Sequence, residues 1–185
     1  MATTFIFHGI DGHSGENWFP WMKKELEAAK HRCIVPDFPD PAHPRLKDWL
    51  KDFARYEDSF DEGTVFVGHS LGAAFALHAL ESLKAPIRAC FAVAPVWEVM
   101  GNEFDPEMST FTTAPYDWSA IVKNCGHFEV MQSDNDPYID PEKSQRLAEH
   151  LKTTVTMILG GGHFNAAPEY TKFEKLREKI VQSLG

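Results

Sequence analysis

Short apolar runs rich in β-branched and aromatic residues recur along the chain. Most of them are apolar at every position rather than at alternate positions, which is typical of strands covered on both faces of a parallel sheet. The runs predict strands at Thr3–His8, Arg32–Pro36, Thr64–Gly68, Ile87–Ala94, Phe128–Ser133 and Thr154–Leu159.

Between these runs, apolar residues return every three or four positions, which predicts helices with one buried face. Pro141 and Pro168 suit the first turn of a helix, where the N–H that proline lacks is not needed. The predicted helices are Trp18–Lys30, Arg45–Phe60, Ser70–Leu83, Pro141–Leu151 and Pro168–Leu184, with a weaker one at about Tyr116–Lys123.

Strands and helices alternate along the chain, which predicts an α/β fold with right-handed crossovers. We expect three layers around a doubly wound, mostly parallel six-stranded sheet, with the strands in the order 2-1-3-4-5-6. No linker or repeat divides the 185 residues, so a single domain over residues 1–185 is expected. The connection from Ala94 to Phe128 is long, and connections of that length usually serve as functional loops or covers.

The charge and the termini narrow the possible partners. A formal net charge of −9 disfavours binding to nucleic acid or to an anionic membrane surface. The segment Met1–His8 lacks the basic and apolar regions of a signal peptide, and no run approaches the ~20 apolar residues of a membrane span. Cys33, Cys90 and Cys125 have no metal-ligand spacing, so we expect inert thiols, a cytoplasmic protein and no metal or cofactor.

The sequence Gly68-His69-Ser70-Leu71-Gly72 is a G-x-S-x-G motif between a predicted strand and a predicted helix. That context is the nucleophile elbow, a sharp turn that exposes the serine hydroxyl and leaves no room for side chains two residues away. An N-cap serine in a glycine-rich turn is the alternative, but strand, small residues and helix all occur in order. Ser70 is therefore the candidate nucleophile, and the N–H of Leu71 is a candidate donor to a developing oxyanion.

Four histidines follow the motif in the sequence, and of these only His163 comes directly after a predicted strand. The three glycines before it let the backbone turn, so that the imidazole reaches back over the carboxyl edge of the sheet. His78 and His150 lie in predicted helices, and His127 precedes a strand. His163 is the candidate base, with a surface loop histidine as the alternative.

The acid that orients such a histidine should end the preceding strand. That strand leads into Asp134-Asn135-Asp136-Pro137-Tyr138, so Asp134 and Asp136 both qualify. Asp136 is favoured because Pro137 fixes the backbone that follows it, and Asp134 is interpreted as a helper. For either residue, a solvated turn aspartate is the alternative.

The first strand ends in His8-Gly9-Ile10-Asp11-Gly12, at the switch point where strands 1 and 3 are neighbours. Serine hydrolases of this fold draw a second oxyanion donor from that loop, and the N–H of Ile10 is the candidate. His8 is expected to pack beneath the site. A metal site built from His8, His13 and His163 is disfavoured because no known ligand spacing occurs.

Several segments together resemble the small serine-hydrolase family that includes retinoblastoma-binding protein 9. The likeness runs through Asn17–Glu27, Pro36–Pro41, Gly68–Gly72, Trp118–Cys125, Asp136–Tyr138 and Gly162–Asn165. It assigns the triad to Ser70, Asp136 and His163, and it implies a compact α/β-hydrolase without a lid domain that acts on small carboxylic esters or related acyl groups. The Leu-x-Cys-x-Glu motif for retinoblastoma-protein binding is absent around the cysteines, so that partner is not carried over and the protein partner stays unknown.

We therefore expect a serine hydrolase that forms an acyl-enzyme with a small-molecule acyl substrate. Peptidase or thioesterase activity on the same triad is one alternative. A non-catalytic interaction module, with Trp18, Trp21 and Trp97 in an exposed patch, is another. Aromatic residues are expected to wall the substrate pocket; they are Trp97, Phe111, Trp118 and Phe164. For the first three, which lie in the long connection, the alternative is that they only pack this connection onto the sheet.

Overall fold

The computed structural model describes residues 1–165 and 170–184, and within them a parallel six-stranded sheet runs in the order β2-β1-β3-β4-β5-β6. The strands are β1 (Thr3–Phe7), β2 (Arg32–Ile34), β3 (Val65–His69), β4 (Ala89–Val93), β5 (Phe128–Ser133) and β6 (Val155–Ile158). The predicted fold class and strand order are confirmed. Because β1 and β3 are neighbours whose connections diverge, their carboxyl ends form the switch point.

Helices cover both faces of this sheet. They are α1 (Phe19–Ala28), α2 (Leu46–Phe53), α3 (Leu71–Glu81), α4 (Asp105–Thr112), α5 (Trp118–Lys123), α6 (Pro141–His150) and α7 (Glu174–Leu184). Helices α1 and α7 contact each other, whereas α2, α4 and α5 contact α3. In the described part of the chain, no helix has the length and apolar character needed to cross a membrane.

The core lies on both sides of the central strands. Every residue of β1, β3, β4 and β5 is buried, and α3 is buried from Leu71 through Leu80. A helix enclosed on all sides needs no polar face, which explains why α3 is apolar almost throughout. Edge-to-face contacts of Phe7 with Phe53, Phe66 and Phe75, at centroid distances of 5.1, 5.2 and 5.0 Å, join β1, α2, β3 and α3.

Two predicted helix boundaries need correction. The helix predicted over Arg45–Phe60 ends at Phe53 and continues as a 3₁₀-helix over Ala54–Ser59. The last helix begins at Glu174; Pro168, its predicted start, lies outside the described residues, and residues 170–173 are not helical. Phe173 is buried there against Trp18 and Phe164, and such tertiary contacts override local helix propensity.

The long connection between β4 and β5 contains a helix that the apolar pattern does not predict. In α4 the carboxylate of Asp105 accepts the N–H groups of Met100, Gly101 and Asn102 at 2.8, 2.7 and 3.1 Å, and Pro106 occupies the first turn. Acidic and proline residues in a first turn are helix-start signals, so this part of the sequence does contain a signal for the start of α4. Helix α4 packs on α3 and borders the cavity described next.

Candidate active site

Ser70 lies at the turn between β3 and α3, at the carboxyl edge of the sheet. Its backbone has φ 55° and ψ −123°, a strained conformation for a residue with a side chain. The N–H of Ser70 donates to the carbonyl of Val93 at 3.0 Å, and its own carbonyl accepts from Val96 at 3.1 Å. Hydrogen bonds to the last residue of β4 and to the chain that follows it therefore hold the strained turn in place.

The two glycines of the motif are required by close backbone approach. A Cβ on Gly72 would collide with the carbonyl of Phe7 in β1, and one on Gly68 would collide with the backbone of Gly72 and Ala73. The start of α3 is thus pressed against the sheet. This contact fixes where Ser70 sits relative to the loop that follows β1.

His163 lies in the loop after β6, which we call the base loop and define as residues 160–165. Gly160 and Gly162 have φ values of 70° and 54°, so the turn uses conformations that glycine adopts without strain. The Nδ1 of His163 is 2.9 Å from Oδ2 of Asp136, whose side chain is completely buried. With Nδ1 occupied, Nε2 is the ring nitrogen left to accept a proton.

Further hydrogen bonds orient the carboxylate of Asp136. Its Oδ1 accepts the N–H groups of Tyr138 and Ile139 at 2.9 and 3.2 Å. The side-chain amide of Gln132 lies 3.4 Å from Oδ2 and is itself bonded to Ser144. The acid is therefore held from its own turn and from β5.

Asp134 has different partners. Its Oδ1 accepts the N–H of Gly160 at 2.7 Å, and the side-chain oxygen of Asn135 accepts the N–H of Gly162 at 2.8 Å. These bonds shape the base loop rather than contact the imidazole of His163. Both aspartates were candidates in the sequence. In the structure, Asp136 is hydrogen-bonded to the imidazole of His163, whereas Asp134 is hydrogen-bonded to the backbone of the base loop.

Two further histidines are buried near the site, and both are already bonded. The Nδ1–H of His8 donates to the carbonyl of Gly9 at 2.8 Å, while Nε2 accepts from the N–H of Phe38 at 3.2 Å. Burial lowers the pKa of His8, and it lowers the pKa of His69 to about 3. The sequence analysis assigned no role to His69, although this residue directly precedes Ser70 in the motif.

A cavity of about 240 Å³ opens beside Ser70 and is also lined by His163. Its apolar wall comes from the loop after β1, the chain after β4, helix α4 and the turn after β5, through Ile10, Val96, Phe104, Met108 and Ile139. Its polar wall consists of Asp11, Glu16, Asn17, Asn102, Tyr138 and Asn165. The lining residues that the structure describes include two carboxylates and no lysine or arginine.

The four aromatic residues predicted to wall the pocket do not line this cavity. The indole N–H of Trp97 donates to the carbonyl of Lys143 at 3.0 Å, and Trp118 stacks on the ring of His150. Phe111 and Phe164 are completely buried, against Trp49 and Phe173 respectively. Large rings gain most by full burial, and the folding of the connection gives Trp97 and Phe111 core positions, whereas Phe164 is buried beneath the base loop.

The candidate oxyanion donors flank Ser70. The N–H of Leu71 is the first of α3 and so has no acceptor within its own helix. Ile10 lines the cavity, and the chain beside it is fixed because the N–H of Asp11 donates to the carbonyl of Pro41 at 2.7 Å. Among the residues that the structure describes, no group of three or more His, Cys, Asp or Glu side chains is placed to hold a metal ion.

Comparisons with known proteins extend over nearly the whole chain. The model of the serine hydrolase family matches residues 4–182. YdeN of Bacillus subtilis (strain 168), named as a hydrolase, is 29% identical over 160 residues, which are 86% of this chain and 84% of that protein. Serine hydrolase RBBP9 of Rattus norvegicus is 29% identical over 168 residues, which are 90% of this chain and 86% of that protein.

Solved structures show the same architecture. The ydeN gene product of B. subtilis superposes with a TM-score of 0.93 at 27% identity, over 99% of this chain and 98% of that one. Est1E from Butyrivibrio proteoclasticus shares the fold with a TM-score of 0.76 at 18% identity, over 98% and 87% of the two chains. The sheet order, the strained serine turn and these similarities define an α/β hydrolase. Within that class, the chain belongs to the serine hydrolase family.

Proposed function

We propose that this protein hydrolyses small carboxylic esters or related acyl groups through an acyl-enzyme on Ser70. The observation that carries the proposal is the cavity that Ser70 shares with His163, whose Nδ1 is bonded to the buried carboxylate of Asp136. A serine on a strained turn, a histidine with one free ring nitrogen and a buried acid are the parts that such chemistry requires. The family membership supports hydrolysis as the reaction class.

In the proposed reaction, Oγ of Ser70 attacks the acyl carbonyl carbon while Nε2 of His163 takes the hydroxyl proton. The carbonyl oxygen becomes an oxyanion, which accepts hydrogen bonds from the backbone N–H groups of Leu71 and Ile10. Collapse of the intermediate breaks the bond to the leaving group, which takes the proton from His163. Water then attacks the acyl-enzyme by the same path and releases the acid and Ser70.

Asp136 acts through His163 in this scheme. Its carboxylate keeps the proton of the neutral imidazole on Nδ1, which leaves Nε2 as the acceptor, and it stabilises the imidazolium that forms. The buried position of the carboxylate strengthens this interaction because little water screens it. The proposal therefore assigns nucleophile, base and orienting acid to three different loops at the carboxyl edge of the sheet.

An exposed tryptophan patch, which would favour a non-catalytic interaction module, is not formed. Trp18 and Trp97 are buried, and only Trp21 is half-buried.

The choice among ester, thioester and amide depends on the leaving group. We favour esters and related acyl groups because the cavity is small and mixed in polarity, and matched p-nitrophenyl ester, thioester and anilide substrates would rank the three.

Covalent labelling tests the proposal directly. A fluorophosphonate probe should label the wild-type protein at Ser70 alone, as read by peptide mass spectrometry. Ser70→Ala should abolish labelling and lower kcat by roughly 10⁴–10⁶-fold, the usual loss for a triad residue, at an unchanged melting temperature. Ser82→Ala, at the other end of α3, is the matched control and should label normally. Labelling at another residue, or an active Ser70→Ala variant, would refute the assignment.

A further inference from the structure

His69 links the nucleophile turn to the base loop. It is the last residue of β3 and directly precedes Ser70, and its side chain is buried. Its Nε2 lies 2.8 Å from the carbonyl oxygen of His163, and the two imidazole rings are 5.0 Å apart. A residue next to the nucleophile thus contacts the main chain of the residue proposed as base.

The direction of this hydrogen bond follows from the chemistry of its two partners. A backbone carbonyl can only accept, so Nε2 of His69 must carry the proton and donate it. Burial lowers the pKa of His69 to about 3, so the ring is neutral at ordinary pH and its Nδ1 carries no proton. That Nδ1 is buried without a hydrogen-bond partner among the described residues.

His69 is therefore unsuited to serve as the base itself. The ring nitrogen that faces the base loop is occupied as a donor, and the other nitrogen is enclosed in the core. Trp18 and Phe19 pack on the ring at centroid distances of 6.2 and 6.0 Å, which leaves it little freedom to turn. The ring is therefore held in place with its Nε2–H directed at the base loop.

The base loop has an irregular backbone that is held by contacts with its neighbours, among them the hydrogen bond from the indole N–H of Trp18 to the carbonyl of Phe164. Gly160 and Gly162 turn it through positive φ, and Phe164 is held at φ 51°, a strained value for an aromatic residue. Asp134 and Asn135 bind the N–H groups of the two glycines. On the opposite side, the carbonyl of His163 is bound by His69.

We propose that His69 is a positioning residue that sets the separation of Ser70 and His163 by tying the main chain of the base loop to the nucleophile turn. The proposal rests on the function proposed above. A displacement of about 1 Å in a reacting group can cost on the order of 10²-fold in rate, so loss of one such tether should be visible in kcat. His69 is one of the residues that line the cavity, but its side chain is almost completely buried, so substrate affinity should change much less than kcat.

Two substitutions separate the hydrogen bond from the packing. His69→Leu keeps an apolar side chain of similar size and removes the donor, whereas His69→Gln keeps an N–H donor that can reach the same carbonyl. We expect His69→Leu to lower kcat by roughly 10–100-fold with KM nearly unchanged, and to slow phosphonate labelling of Ser70 in parallel. His69→Gln should recover most of both rates.

The inference is overturned if folded His69→Leu keeps kcat within about twofold of wild type, if only KM changes, or if folded His69→Gln is no better than the leucine variant. Should both variants fail to fold, nitrogen-15 NMR of the wild-type protein still decides the matter. His69 must then be the neutral Nε2–H tautomer from pH 5 to 8, and an Nδ1–H tautomer or a charged ring in that range overturns the inference. Absence of Ser70 labelling in the wild type would instead refute the proposed function, which distinguishes the two failures.

Discussion

At the scale of single residues, Asp134 and Asp136 have similar positions in the sequence and different partners in the fold. Asp136 binds Nδ1 of His163, while Asp134 binds the N–H of Gly160. Asp136→Asn places an amide against Nδ1 and favours the wrong imidazole tautomer, so kcat should fall on the order of 10⁴-fold. Asp134→Asn keeps an oxygen acceptor for Gly160 and should lose far less. Steady-state kinetics of the two variants measure this, and a larger loss at Asp134 would reverse the assignment.

Buried neutral histidines also predict how stability depends on pH. Burial lowers the pKa of His69 in the native state to about 3, from the ordinary histidine value of 6.5. The unfolded chain therefore binds one more proton between these values, and the free energy of unfolding should fall as pH falls, by about 1.4 kcal/mol per pH unit for this residue. His8, whose pKa burial also lowers, adds to the same trend.

Urea unfolding at intervals from pH 7 to pH 4 measures this slope. The control is His69→Leu, which removes one titrating group. The slope of its unfolding free energy against pH should be smaller by up to about 1.4 kcal/mol per pH unit, the contribution of one proton. Equal slopes in the two proteins would mean that His69 is not neutral in the native state.

At the scale of elements, the nucleophile turn depends on the close approach of α3 to β1. In Gly72→Ala the new Cβ would meet the carbonyl of Phe7, which is backbone and cannot swing aside. We expect a loss of about 1–3 kcal/mol in the free energy of unfolding, as is usual for overpacking, together with lower activity because Ser70 shifts. Gly63→Ala is the matched control, since its nearest neighbour is the side chain of Asp61 at 3.3 Å. Denaturant unfolding and kinetics would contradict this view if Gly72→Ala matched the control.

At the scale of the whole molecule, the space beside Ser70 limits the acyl group. The cavity measures about 240 Å³ and is closed partly by Phe104, which directly precedes α4, and by Met108 of α4. For p-nitrophenyl esters of increasing acyl length, kcat/KM should peak at short chains and then fall, without activation at a lipid–water interface. Phe104→Ala should move the peak to longer chains by enlarging the cavity. A rate that climbs steadily into long chains would show that α4 does not bound the substrate.

The charge of the molecule predicts a second preference. The net charge is −9, and Asp11 and Glu16 contribute carboxylates to the cavity wall. Neutral esters should therefore be preferred over matched esters that carry a carboxylate, by about 10-fold in kcat/KM at low salt, and the ratio should narrow as ionic strength rises. Glu16→Gln should reduce the preference. A ratio of the two kcat/KM values near one, unchanged by salt, would show that the carboxylates of the cavity wall do not select against negatively charged esters.

The features predictable from sequence are those that depend on local pattern. Continuous apolar runs marked β1 and β3 within one residue at either end, because strands enclosed by helices have no polar face to interrupt them. The motif around Ser70 indicated a strand-to-helix turn because only glycine fits where the backbones meet. Order along the chain was enough to bring Ser70, Asp136 and His163 to one edge of the sheet, since all strands of a parallel sheet end there.

Other features depend on partners distant in sequence, and local pattern carries no record of them. Which rings line the cavity is one example, because Trp97 and Phe164 gain more by burial against neighbours from other elements than by facing a substrate. The partner of His69 is another, since its hydrogen bond joins residues 94 positions apart. The separate contacts of Asp134 and Asp136 also arise from the path of the base loop after β6. In each case the residue type permits several environments, and packing at the carboxyl edge of the sheet selects one of them.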